Sequence, residues 1–194
     1  MNQRKDITTF PVTAKRWQDF RTLFGKRGAC GGCWCMYWRL SHSVYQEQKG
    51  DKNRDAMSGI INKGTVPGII GYLDKKPVGW CSVAPRDDFP RLERSRILKK
   101  IDDSTVWSIV CLFVDKSFRN QGISVEMLKA AVAYAKDKGG KIVEGYPVEP
   151  RMGTDTIPPV FAYTGIASAF LQAGFREVER RSETRPIMRY YIED

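Results

Sequence analysis

Histidine is nearly absent from this chain, His42 being the only one among 194 residues. Zinc wants four ligands, and structural sites usually draw them from two separated pairs. Cys30, Cys33 and Cys35 form a single C-x2-C-x-C cluster with no second pair, and His42 would be an unorthodox fourth ligand, so no metal is expected. Long apolar runs are missing too: the longest, Val106 to Val114, is interrupted by Ser108 and is far too short to span a bilayer. The opening residues, MNQRKDITTF, carry charge but no apolar leader segment. The expectation is a cytoplasmic protein with no membrane partner. The five cysteines, an odd number, then speak for reduced thiols rather than a disulfide scaffold. Repeats and low-complexity tracts are also absent, and the length suits one domain.

Acidic residues are in deficit, 22 Asp and Glu against 32 Lys and Arg, for a net charge of +10. Such a balance favours anionic partners: nucleic acid, a phosphorylated cofactor or an acidic surface. The cations are dispersed in short clusters such as RILKK and REVERR, without a basic run or a nucleic-acid motif. Nucleic acid is therefore disfavoured.

What is present reads as alternating helices and strands. Ala14 to Phe24 is predicted helical, capped by Thr13, ended by Gly25, with Trp17, Phe20 and Phe24 on one face. GACGGCWCMYWRL reads as a loop leading into a helix, followed by a polar helical region from Ser43 to Asn62. VPGIIGYLDKKPVGWCSVAP is predicted to form a hairpin turning at Asp74 to Pro77. VWSIVCLFV is apolar on both faces, as in a central strand covered on both sides. A helix from Gly122 would align Leu128, Ala131, Val132 and Ala135, and KDKGG would stop it. KIVEGYPV reads as another buried strand. A short helix would align Ala167, Phe170, Leu171 and Gly174, and REVERR with PIMRYYIE would close the sheet. The order is α, α, β, β, β, α, β, α, β, β, an α/β fold with a mixed sheet flanked by helices. The Pro-rich stretch from Pro147 to Tyr163 is long enough to be functional, as a lid or a wall.

A strand ending in LFV, then RNQGIS opening a helix, then FLQAGFREV after the next strand: these features resemble the GNAT superfamily of acyl-CoA-dependent N-acetyltransferases. Arg119 and Gly122 meet its (Arg/Gln)-x-x-Gly-x-(Gly/Ala) signature, and Ser124 departs from it at the last position. The resemblance covers roughly residues 64–194. CGGCWCMYWR, WCSVAPR and RPIMRY are also similar to an uncharacterised bacterial branch of that superfamily. It implies a mostly antiparallel sheet splayed between its fourth and fifth strands. Residues 1–63 would form a helical, Cys/Trp-rich segment on the acceptor side, and residues 64–194 the acetyl-CoA-binding core. Backbone amides of Asn120, Gln121, Gly122, Ile123, Ser124 and Val125 would hold the CoA diphosphate, with Arg119 nearby; Leu112, Phe113 and Val114 would pair with the pantetheine. The physics agrees: glycine lets a backbone approach closely, and a helix N-terminus favours an anion.

Acetyl transfer to an amine requires a neutral nucleophile, a stabilised oxyanion and a protonated leaving thiolate. A lysine-like amine lies ~3.4 units from neutral pH, so its free form costs about 4.6 kcal/mol. A backbone N–H at Phe113 or Val114 in a water-poor cleft would contribute roughly 3 kcal/mol to the oxyanion. Where many family members carry a proton-donating Tyr this chain has Phe170, and where one branch carries a basic Glu it has Ser108. Glu144, a carboxylate in an apolar run, and Tyr163, just before the last helix, are the replacement candidates. For Glu144 an ion pair competes with that role, and for Tyr163 a structural aromatic does.

The cysteine-rich head borders the acceptor site by the same resemblance, so Trp34, Trp38 and Trp80 are candidate acceptor contacts, with core packing the alternative. Redox chemistry of the CxxC pair is a further reading. Asp87, Asp88 and Glu149 lie in loops that could meet a cationic amine. The expected partners are acetyl-CoA and a primary amine of a small molecule or peptide, in a monomer or homodimer. A catalytically silent acyl-CoA-binding module is the alternative.

Overall fold

Sheet and helices follow from the two apolar periods, and a computed structural model describes them for residues 7–151, 157 and 161–193. The strands are β1 (Thr8–Pro11), β2 (Ile69–Leu73), β3 (Lys76–Pro85), β4 (Trp107–Val114), β5 (Ile142–Gly145), β6 (Arg176–Arg180) and β7 (Pro186–Tyr191). They form one seven-stranded sheet in the order β1-β2-β3-β4-β5-β7-β6. Only β4 and β5 run parallel; the other neighbours are antiparallel. The helices are α1 (Trp17–Phe24), α2 (His42–Glu47), α3 (Asp51–Asn62), α4 (Pro90–Glu93), α5 (Ile123–Asp137) and α6 (Ala167–Gln172).

Strand β4 is covered on both faces, as its apolar run requires. One face packs Val83, Ile109 and Leu112 against Leu128, Ala131 and Ala135 of α5 and Phe170 of α6. The other receives an aromatic layer, Phe20, Phe24, Trp34 and Trp80, beneath α1 and α3. A third cluster joins Trp38, Phe89, Leu92, Val110 and Tyr146.

Several expectations are corrected. Strand β1 was not foreseen: four residues ending in proline give too little alternation to read. Thr13 makes no capping hydrogen bond, and Ala14–Arg16 is a 3-10 turn before α1. The polar helical region is two helices, parted where Gly50 takes φ 88°. Its amide donates to the Gly32 carbonyl (3.0 Å), tying the cysteine-rich loop to the start of α3. Leu171 faces solvent at 58% exposure, so only Ala167, Ala169 and Phe170 anchor α6. The hairpin forms, but its turn is shorter than expected: Asp74 and Lys75, both left-handed, make it, and Lys76 and Pro77 already belong to β3. Part of the Pro147–Tyr163 stretch, residues 152–156 and 158–160, lies outside the described residues.

Candidate active site

The sheet opens in its middle. β4 and β5 pair only at Trp107–Val143, Ser108–Glu144 and Ile109–Gly145. β5 then ends and the chain turns away, so that Val148 bridges Ile166 instead. From Val110 to Val114 the β5-side edge of β4 therefore has no neighbouring strand. On the β3 side the register slips between Ser82 and Val83, leaving Val110 as an extra residue. Such a bulge leaves main-chain groups out of the ladder.

The strand leads into an anion-ready helix entry. Arg119 is exposed and its Nε donates to the Val114 carbonyl (3.2 Å). Asn120 and Gly122 are both left-handed, at φ 58° and 79°, and Gly122 caps the fifteen-residue α5. A Cβ added at Gly122 would meet nothing within 4 Å, so the glycine serves its backbone angle and an open approach. First-turn amides of a helix have no internal partner, and those of Ile123 and Ser124 open that turn beside the exposed Lys116 and Arg119.

Glu144 is 1% exposed, and both its oxygens are engaged. Oε1 accepts from Arg86 Nη1 (3.1 Å) and the Tyr146 hydroxyl (2.7 Å), and Oε2 accepts from Arg189 Nε (2.8 Å). Arg86 also pairs with Glu93, and Arg189 holds Asp102 with both Nη atoms. Ser108 shares a hydrogen bond with Tyr146 (2.9 Å) at the rim of this network. The geometry is that of a buried ion cluster joining the turn after β3 to β5 and β7. Phe170 is fully buried against Gly145, where any Cβ would collide with its ring. It offers no proton.

Tyr163 stands on the turn Ala162–Thr164 that follows the opened edge, edge-on to Tyr37 at 5.9 Å. Burial raises the affinity of its phenol for the proton, and Tyr37 adds to this while Arg185 opposes it. Trp34 and Trp80 lie inside the aromatic layer, with Trp34 stacked on Phe24 at 5.8 Å and Trp80 edge-on to Phe20 at 4.8 Å. That is the packing alternative for both. Trp38, 8% exposed, packs in the third cluster and its indole N–H is unpaired. Asp88 faces Arg39 at 3.4 Å and Glu149 pairs with Arg180 at 2.8 Å.

The cysteines are spread between surface and interior. Cys30 is exposed, whereas Cys35 on the loop meets Cys111 of β4 within the aromatic layer. Burial pushes the Cys35 thiol up, but a hydrogen bond with Cys111, the Arg39 charge and a hydrogen bond from the Trp80 indole (3.3 Å) bring it down to about 7. Among the described residues no three His, Cys, Asp or Glu side chains are grouped to hold a metal, and no helix is long and apolar enough to cross a membrane. Cys111, Val110, Arg91 and Arg185 border this region and are not among the site residues expected from the sequence; Tyr37 borders it too and belongs to the cysteine–aromatic head that the sequence marks. The valine and cysteine read there as ordinary core, the arginines as scattered charge.

Comparison with known proteins agrees with this geometry. The profile of the Acetyltransferase (GNAT) family matches residues 34–149. No curated protein matches in sequence. A GNAT-family acetyltransferase from Listeria monocytogenes superposes with a TM-score of 0.59 at 9% identity, over 99% of this chain and 98% of that one. The PaiA N-acetyltransferase from Thermoplasma acidophilum, solved with coenzyme A, gives 0.53 at 12% identity over 96% and 99%. An aminoglycoside N-acetyltransferase, AAC(6')-Iy, also solved with CoA, gives 0.52 at 16% identity over 91% and 92%. At these identities the likeness is one of fold.

Proposed function

The chain belongs to the GNAT acetyltransferase family, and from that premise we propose that it moves an acetyl group from acetyl-CoA to a primary amine by direct attack. One observation carries the reading: the unpaired edge of β4 leads, through Asp115 and a 3-10 turn at Lys116–Phe118, to the left-handed entry of α5. An extended, amide-bearing ligand that ends in a diphosphate fits both parts. Leu112, Phe113 and Val114 supply main-chain partners along the edge, as an added strand would find them. The amides from Asn120 to Ser124 are our candidates for the diphosphate, with charge from Arg119 and Lys116, whereas that of Val125, expected among them, already donates to the Gly122 carbonyl (3.0 Å). CoA complexes of the PaiA and aminoglycoside enzymes support this choice of ligand.

The chemistry falls to groups at the opening. A main-chain donor at the bulge, around Val110 to Leu112, is placed where the strands part, and an oxyanion there would gain roughly 3 kcal/mol. Tyr163 is our candidate to protonate the leaving thiolate. Its burial keeps the phenol protonated at neutral pH, so it has a proton to give. Glu144, with each oxygen already accepting, is assigned to holding Arg86 and Arg189 in place. A water chain then takes the amine proton. Phe170 and Ser108 favour the second reading, a domain that binds acyl-CoA without turnover.

Titration calorimetry with acetyl-CoA, followed by thiol release with a panel of amines, tests both. Binding with amine-dependent release is the expected result; binding without release selects the silent module, and no heat removes both. Tyr163→Phe is expected to lower kcat by about tenfold or more with acetyl-CoA affinity unchanged. Undiminished kcat would release Tyr163 from the role.

A further inference from the structure

Interior and half-buried arginines in this protein are, as a rule, matched with carboxylates. Arg86 has Glu93 and Glu144, and Arg189 has Glu144 and Asp102. The arginines around Tyr37 break the rule. Arg91 lies over the Tyr37 ring with its guanidinium carbon 3.8 Å from the centroid. Its hydrogen bonds go to the Tyr37 carbonyl (3.3 Å) and to His42 Nδ1 (3.0 Å). Arg185 donates to the Thr164 hydroxyl (2.9 Å) and the Tyr146 carbonyl (3.4 Å). Among the described residues neither has a carboxylate partner. Arg39, with 5% of its side chain exposed, has Asp88 as its carboxylate partner at 3.4 Å and also donates to the Pro67 carbonyl (3.1 Å), and its Nε is unpaired.

A guanidinium drawn out of water without a counter-charge is costly, and a bound oxyanion relieves that cost. Burial accordingly weakens the hold of Arg185 on its proton, and the nearest compensating groups are the phenols of Tyr163 and Tyr37. The place is informative as well. Tyr37 and Tyr163 pack edge to face at 5.9 Å, and Tyr163 neighbours Cys111 on the opened part of β4. The unmatched cations thus border the mouth where an acceptor would meet the thioester.

We propose that the acceptor is a small amine that also carries an oxyanion, a carboxylate or a phosphate, and that Arg91 and Arg185 hold that group while the amine points to the parting of β4 and β5. The proposal rests on the transferase reading above and narrows its substrate class. A planar guanidinium fork matches a carboxylate with two parallel hydrogen bonds, which sets orientation as well as affinity. Cationic polyamines and aminoglycoside-like acceptors are disfavoured at such a mouth.

The test compares thiol release from acetyl-CoA with aminocarboxylic acids of increasing length, their amides, the matching amines without the acid, and aminoalkyl phosphates. The acids or the phosphates should exceed their neutral counterparts in kcat/KM by about tenfold or more, and whichever of the two leads identifies the group. Arg91→Gln and Arg185→Gln should raise KM for the anionic acceptor by a similar factor and leave acetyl-CoA affinity, by calorimetry, as it was. Arg91→Lys guards against loss of fold, since it keeps the charge and removes only the fork; it should recover part of the KM. Equal or greater release from the neutral amines overturns the inference while leaving the transferase reading intact, and so does release from no anionic amine by a protein that binds acetyl-CoA. Failure to bind acetyl-CoA removes the reading and the inference together.

Discussion

Glu144 lies between two guanidiniums whose other partners, Glu93 and Asp102, are about half exposed at 47% and 48%. Glu144→Gln keeps the shape and removes the one fully buried counter-charge. Breaking a buried pair from one side costs about 3 kcal/mol or more, equivalent in a chain of this size to a melting point lower by roughly 6–12 °C. Thermal denaturation measures it. A variant with an unchanged melting point but lost turnover would return Glu144 to the role of base. Cys35 makes a second residue-level case. Its folded pKa of about 7 lies below the 9.0 of an unperturbed thiol, so the native state binds fewer protons than the unfolded chain between those values. The stabilisation it gives is present above pH 9 and is lost as pH falls through 7. Ultraviolet thiolate absorbance should therefore rise near pH 7, and Cys35→Ser should abolish that step; a first thiol titrating only in the ordinary range would refute the assignment.

Among the elements, the entry to α5 shows what local sequence can specify. RNQGIS after an apolar strand was enough to place a helix start, because few residues other than glycine enter the left-handed region readily. The structure puts Gly122 there at φ 79°, and the helix it opens buries Leu128, Ala131, Val132 and Ala135 as their spacing required. Gly122→Ala should cost about 1–2 kcal/mol of stability from the backbone alone, since its methyl group meets no protein atom. If the diphosphate binds there, the methyl group intrudes on it, and CoA affinity should fall by about tenfold or more. An unchanged dissociation constant would move the diphosphate elsewhere. Long-range pairing was less legible. Glu144 and its partners Arg86 and Arg189 are brought together only by the register of β5 on β7 and by the turn after β3. Nor could periodicity show that Val110 is the extra residue of a bulge, since that depends on β3 as much as on β4. The same holds for Cys35, whose left-handed backbone at φ 60° and contact with Cys111 belong to a loop without a repeat to read.

Across the whole molecule, the sheet is two pieces joined at a narrow seam. β1 to β4 form one and β5 to β7 the other, with three residue pairs of parallel ladder and the Glu144 cluster between them. Above the seam β4 has no strand at its side, so a ligand laid along that edge would supply the missing neighbour and contact both pieces. Binding to the native state alone stabilises by RT ln(1 + [L]/Kd), or about 2.7 kcal/mol at a hundred times Kd. In a chain of this size the expected rise in melting temperature is roughly 5–11 °C with CoA. Amide exchange separates this from diffuse attraction of an anion to a chain of net charge +10. Seated ligand should slow exchange at Leu112 to Val114 and at Ile123 and Ser124, and little else on the strands at the sheet's edges. Protection spread evenly over the basic surface, or stabilisation that vanishes at a Debye length of about 3 Å in molar salt, would show that the split sheet is not where the ligand lies.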